Sequence, residues 1–184
     1  MIIPKSDLPR VVVVGGGFAG LALARNLLKQ DVQMVLLDRH NYHTFQPLLY
    51  QVSTSGLEPD SIAYPLRKIT RSSDRCFFRL TEVKSISAEK NTVHTEKSDD
   101  ITYDYLVVAP GITYDFSLVP GLGDAIDKGV VCSTYTDPKH TWQVIKSFKG
   151  GTALFTQPAT PIKCGGAPQK IMYLAESHFK KRGV

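Results

Sequence analysis

One stretch constrains this chain more than any other. A run of β-branched apolar residues, Val11 to Val14, passes straight into Gly15-Gly16-Gly17-Phe18-Ala19-Gly20. Leu21, Leu23, Leu27 and Leu28 then recur at helical spacing through Lys29, and a second apolar run, residues 32–37, ends at Asp38. This pattern predicts strand, tight turn, helix, strand: the opening of a parallel α/β sheet. A first strand without polar interruption fits burial on both faces, as parallel sheets require. In the spacing Gly15-x-Gly17-x-x-Gly20, Gly15 permits the tight turn, Gly17 lets a diphosphate approach the backbone, and Gly20 lets the helix pack on the sheet. The helix N-terminus, at Phe18 and Ala19, adds positive partial charge. Asp38 lies 18 residues beyond Gly20, where a carboxylate accepts hydrogen bonds from a ribose hydroxyl. With strand, helix and acid in register, a dinucleotide site is the expectation, against the plainer alternative of a glycine turn with no ligand. The acid favours an unphosphorylated ribose, so FAD or NAD over NADP.

The rest of the chain is read around that start. Residues 39–65, opening with Arg39, are irregular and rich in aromatics and prolines, which suggests a functional loop with short helical pieces. Residues 77–95 predict two or three short strands with Val83, Ile86 and Val93 facing inward, and the polar stretch 96–100 a turn. Residues 101–109 predict a single buried strand ending at Pro110-Gly111. Asp137 followed by Pro138 predicts a helix to about Phe148. Gly150-Gly151 then precedes a predicted short strand, residues 152–155, a loop over 156–166, and a helix from about Pro168 to about Lys181. The expected fold class is α/β. Residues 1–115 form a Rossmann-like FAD-binding domain, a parallel sheet with helices and a small antiparallel β insertion. Residues 116–184 form a connection and the beginning of a second α/β domain. One strand and one helix cannot bury their apolar faces alone, so the chain reads as the front part of something longer.

Composition narrows the class without choosing a function. The 184 residues carry a net charge of +5, with 42% hydrophobic and 21% charged residues, which is ordinary for a globular protein and far from a disordered one. No apolar run reaches the ~18–20 residues of a membrane span, and the N-terminal residues do not form a signal peptide. No Lys/Arg cluster makes a nucleic-acid footprint. His40 and His43 stand three residues apart without further ligand spacing, and read as polar contacts rather than a metal site. Three scattered cysteines are too few for a disulfide framework, which makes the cytosol the default compartment. Cys76 reads as a small buried hydrophobe. Cys164 lies in a Gly/Pro loop at a helix start with Lys163 and Lys170 nearby, an arrangement that can lower a thiol pKa.

Several segments carry a resemblance to two-dinucleotide-domain flavoproteins. Residues 45–52 (Phe-Gln-Pro-Leu-Leu-Tyr-Gln-Val) and 62–67 (Ile-Ala-Tyr-Pro-Leu-Arg) resemble type II NADH:quinone oxidoreductases, the NADH dehydrogenases that pump no protons. Residues 101–111 resemble the strand and turn that pass near the FAD, with Pro110 where such flavoproteins usually have Thr. Residues 155–170 around Cys164, and 129–135 around Cys132, resemble sulfide:quinone oxidoreductases. Residues from about 9 to 95 thus look like the NADH enzyme and those from about 101 to 184 like the sulfide enzyme.

The resemblance implies an FAD-dependent oxidoreductase with quinone as acceptor and sulfide, or alternatively NADH, as donor. It implies cofactor-binding roles for Gly15, Gly17, Phe18, Ala19, Gly20, Asp38, Arg39, Gln46, Val83, Ala109, Pro110 and Gly111. It also implies catalytic roles for Cys164, as the redox cysteine that receives sulfide sulfur, and for Cys132. The partner cysteine would come from a C-terminal half that this chain lacks. In the full-length parent the protein would sit peripherally on the inner face of the cell membrane. Against the NADH reading, residues 152–155 are followed by Thr-Gln-Pro-Ala-Thr-Pro, not by a second GxGxxG. A non-catalytic nucleotide-binding fragment is the third alternative.

Overall fold

The structure, a computed structural model, describes residues 3–184. The chain divides into two compact units, the first running to Thr44 and resuming over Tyr64–Thr113, the second made of Phe45–Ala63 and Tyr114–Val184.

In the first unit, β1 (Arg10–Val14), α1 (Phe18–Leu27) and β2 (Gln33–Asp38) follow one another as the sequence predicts. After β3 (Tyr42–Thr44), β4 (Ala63–Pro65) and α3 (Arg67–Thr70), which is the third helix of the chain, come β5 (Cys76–Leu80), β6 (Val83–Ser87), β7 (Thr92–Thr95), β8 (Ile101–Thr102) and β9 (Tyr105–Val108). The main sheet is parallel in the order β5-β2-β1-β9. Its two central strands are buried on both faces, and their side chains alternate between two cores. Val11, Val13, Met34 and Leu36 pack with Leu21 and Ala24 of α1 and with Leu66 and Ile69. Val12, Val35 and Leu37 pack with Val93 and Ile101 of the antiparallel sheet β6-β7-β8.

Three local expectations are corrected. Residues 101–109 are not one buried strand. Ile101–Thr102 pairs with β7, whereas Tyr105–Val108 pairs with β1. The chain changes sheets at Asp104, whose carboxylate accepts from the Arg10 N–H at 2.6 Å while its own N–H donates to the Arg10 carbonyl. As the outer strand, β9 leaves Tyr105 and Val108 more than half exposed. Ile86 faces solvent, since β6 is the outer strand of its sheet and only Val93 of the expected trio is fully buried. Residues 152–155 form no strand. Leu154 stands exposed there, and a strand without a partner leaves its backbone groups to solvent.

The second unit contains the remaining helices, α2 (Leu49–Val52), α4 (Leu122–Asp127), α5 (Pro138–Ser147) and α6 (Ala167–Arg182). Asp137 caps α5 by accepting from the His140 N–H at 2.9 Å, with Pro138 in the first turn, as the Asp-Pro pair predicts. Leu49, Val52 and Ile62 form its small core, with Tyr135 packed against them.

Candidate functional site

Strands of a parallel sheet end on a common edge, and ligands of such sheets bind beyond their carboxyl ends. Four strand ends meet there in the first unit: Val14 leads into Gly15, β2 ends at Asp38, β9 leads into Ala109-Pro110-Gly111, and β5 ends at Leu80, three residues before Val83. The structure therefore gathers Gly15, Gly17, Phe18, Ala19, Gly20, Asp38, Arg39, Val83, Ala109, Pro110 and Gly111 about one edge. Gln46, Cys132 and Cys164 belong to the second unit.

The three glycines of the turn do different work. Gly15 adopts φ +102°, and a Cβ placed on it would lie 2.2 Å from the Ala109 carbonyl oxygen. The turn is pressed against the end of β9, where the Ala109 N–H donates to Val14 at 2.8 Å. A Cβ on Gly20 would lie 1.8 Å from the Gly15 carbonyl oxygen, so α1 crosses directly over the turn. Gly17 differs from both, because a Cβ there would meet nothing within 4 Å. Neither packing nor backbone strain requires glycine at 17, and its bare surface leaves room for a ligand to approach the backbone. Gly17 is also the N-cap of α1, and no side chain caps that helix.

Asp38 is already engaged with the turn. One carboxylate oxygen accepts from the Gly16 N–H at 2.6 Å, the other from the His40 N–H at 2.7 Å. A carboxylate offers about four acceptor positions, so both oxygens retain capacity for a ribose hydroxyl. The edge thus fits the diphosphate and ribose of a dinucleotide: a bare Gly17, a helix N-terminus with no side-chain cap and a held acid. Two neighbours of the turn carry no obvious signal in the sequence. Leu66 packs so closely that its methyls would touch a Cβ on Gly16. His43, read from the sequence only as a polar contact, sets its ring edge-on to Phe18 with centroids 4.7 Å apart.

In the second unit, Cys164 is exposed on the loop leading into α6, where its carbonyl accepts from the Ala167 N–H. The neighbouring Lys163 ammonium donates to Gln46 Oε1 at 2.6 Å and lies 5.9 Å above the Tyr114 ring. Tyr114 in turn stacks on Tyr135. Burial pushes the Tyr135 hydroxyl up, and the charge of Cys164 pushes it further in the same direction. Cys132 is half-buried; burial, helped by Asp137, raises its thiol above the ordinary range, which keeps it protonated and works against a nucleophilic role. Cys76 is buried and likewise raised, chiefly by burial, in keeping with an inert core thiol. Among the described residues no cluster of His, Cys, Asp and Glu could hold a metal ion.

Known proteins are similar to this chain. The mitochondrial sulfide:quinone oxidoreductase of Mus musculus is 33% identical over 178 residues, 94% of this chain and 39% of that protein. The type II NADH:quinone oxidoreductase NdhA of Mycobacterium tuberculosis is 41% identical over 105 residues, 55% of this chain and 22% of that protein. The chain spans about two-fifths of the length of the curated relatives that it matches from end to end. The crystal structure of the sulfide:quinone oxidoreductase of Aquifex aeolicus superposes with a TM-score of 0.73 over 95% of this chain and 40% of that one, at 24% identity, and shares the fold. Residues 9–147 match the pyridine nucleotide-disulphide oxidoreductase family, a span that contains the glycine turn, the acid at the end of β2 and the whole parallel sheet. The chain belongs to that family.

Proposed function

We propose that the chain carries the FAD site and the redox cysteine of a quinone-linked oxidoreductase whose electron donor is sulfide. The observation that carries the reading is the extent of the likeness to a sulfide:quinone oxidoreductase. It covers 94% of the chain and so runs through both the glycine turn and the loop of Cys164. In this reading the N–H groups at the start of α1 hold the diphosphate over Gly17, and Asp38 holds the ribose. Val83 at the start of β6 and Ala109 to Gly111 flank the cofactor, with Arg39 as a further contact. FAD supplies the capacity to accept two electrons. Cys164 takes the sulfide sulfur. Hydrosulfide attacks a disulfide between Cys164 and a cysteine elsewhere in a longer protein, forming one persulfide S–S bond for the disulfide bond broken and releasing one thiolate. Lys163, its ammonium donating to Gln46, places a positive charge on the residue before Cys164. Cys132 is assigned a secondary role, since its half-buried, raised thiol is a poor nucleophile at neutral pH.

A type II NADH:quinone oxidoreductase is the second reading, favoured by the 41% identity to NdhA. It requires a second nucleotide site. Residues 152–155, where the strand of that site would start, form no strand and precede no GxGxxG. Membrane association belongs to the proposal for the longer protein; no described helix is long and apolar enough to cross a membrane. The test is an anaerobic titration of the FAD-loaded chain followed by visible absorption. Bleaching by sulfide that is lost in Cys164→Ala supports the sulfide reading. Bleaching by NADH and not by sulfide overturns it in favour of the second.

A further inference from the structure

His43 stands in β3, five residues past Asp38, and its ring closes on the glycine turn. The imidazole meets Phe18, the first residue of α1, edge-on, with centroids 4.7 Å apart and ring planes at 83°. It also engages the backbone of Gly16, the residue whose N–H Asp38 holds at 2.6 Å. Gly16 therefore carries the Asp38 carboxylate on its N–H and has the imidazole beside its backbone, directly before the bare Gly17. The charged groups facing the ring come from two elements: Asp38 from β2, which favours its protonation, and Arg25 from α1, which opposes it. Burial outweighs the others, and the free protein holds the His43 proton less tightly than ordinary imidazole. The positive end of α1 lies beside the same ring.

A diphosphate at that helix end changes the balance, because it brings two negative charges to a turn where Asp38 is the one charged group that favours protonation of the ring, beside the Gly16 backbone. We infer that His43 is a further residue of this site, a positioning group that braces Gly16 and Phe18 and takes up a proton from solvent when a diphosphate binds. The inference rests on the dinucleotide reading of the glycine turn. No bond to the ligand is made or broken; a proton passes from buffer to a ring nitrogen. By linkage, ligand binding tightens as pH falls through the titration range of the ring. A rise of about one pKa unit on binding corresponds to about a tenfold gain in affinity between the two ends of that range.

The test is calorimetric titration with ADP-ribose, whose internal diphosphate has no ionisation near neutrality. Titrations are run near pH ~6.5 in buffers of different ionisation enthalpy, on the wild-type chain and on His43→Gln, which keeps a hydrogen-bonding side chain. The expected result is uptake of a fraction of a proton by wild type and none by His43→Gln. The variant should still bind, several-fold more weakly at the acid end and with a flattened pH profile. Wild-type binding without proton uptake, or undiminished uptake in His43→Gln, overturns the role of His43 and leaves the dinucleotide site standing. No ADP-ribose binding by the wild type overturns the dinucleotide reading itself, and this inference with it.

Discussion

Alanine at Gly20 and alanine at Gly17 should have opposite consequences, although both residues belong to one six-residue turn. At Gly20 the new methyl would lie 1.8 Å from the Gly15 carbonyl oxygen, far inside the 3.0 Å that real Cβ contacts respect, so helix and turn must separate by more than an ångström. Both partners are backbone. Gly15 is fixed by its N–H bond to Leu37 at 2.8 Å and by its contact with Ala109, and α1 is anchored through buried Leu21 and Ala24. Overpacking a core usually costs about 1–3 kcal/mol. A clash without a flexible side chain to relieve it belongs at the upper end, so Gly20→Ala should lose about 3 kcal/mol, a large part of the ~5–15 kcal/mol of a typical domain. At Gly17 the methyl meets nothing within 4 Å, and the residue has φ −75°, which any L-residue adopts. Gly17→Ala should therefore be neutral or gain up to about 1 kcal/mol by restricting the unfolded chain. Its cost should appear only in ligand binding, as a loss of tenfold or more in affinity for ADP-ribose, about 1.4 kcal/mol. Urea unfolding and calorimetric titration of both variants make the comparison. A Gly17→Ala protein that is destabilised like Gly20→Ala, or that binds as well as wild type, would refute the division of labour.

Three further outcomes follow from packing and charge. Leu36 is fully buried in the core beneath α1, and Leu36→Ala should lose about 2–5 kcal/mol in the same urea measurement; a loss below 1 kcal/mol would contradict the two-sided burial of β2. With limiting iodoacetamide, mass spectrometry should find Cys164 alkylated first, since it is exposed, Cys132 later, and Cys76 only on unfolding. The burial of His43 lowers its pKa from the ordinary 6.5, so just below that pH the unfolded chain binds more protons than the folded one. The contribution of this residue to stability should then rise with pH through that window and be complete above it, and His43→Gln should flatten that part of the pH profile.

The opening of the fold was legible because two independent patterns agree over it. The period of the leucines marks α1, the unbroken β-branched run marks a strand buried on both sides, and Gly15, Gly17 and Gly20 fall between them at the spacing that a close turn requires. What the sequence hid are relations between distant segments. Tyr103-Asp104-Tyr105 interrupts the apolar pattern too little to show that the chain leaves one sheet for another there, a change held by the backbone of Arg10, 94 residues earlier. Residues 152–155 have the composition of a strand, but composition says nothing about whether a partner is present. Lys163 and Gln46 meet across 117 residues. The spacing of His43 from His40 suggests a polar contact and no more. Its position against Gly16 and Phe18 depends on the return of the chain along β3, which no local pattern records.

The central claim is that the edge formed by Gly15 to Gly20, Asp38 and Ala109 to Gly111 holds FAD. The most direct measurement is titration of the chain with FAD, followed by quenching of flavin fluorescence, with ADP-ribose as competitor. Saturable binding at one FAD per chain, displaced by ADP-ribose and lost in Gly17→Leu without a drop in stability, is the predicted result. FAD that fails to bind, or that binds equally well to Gly17→Leu and is indifferent to ADP-ribose, would contradict the account.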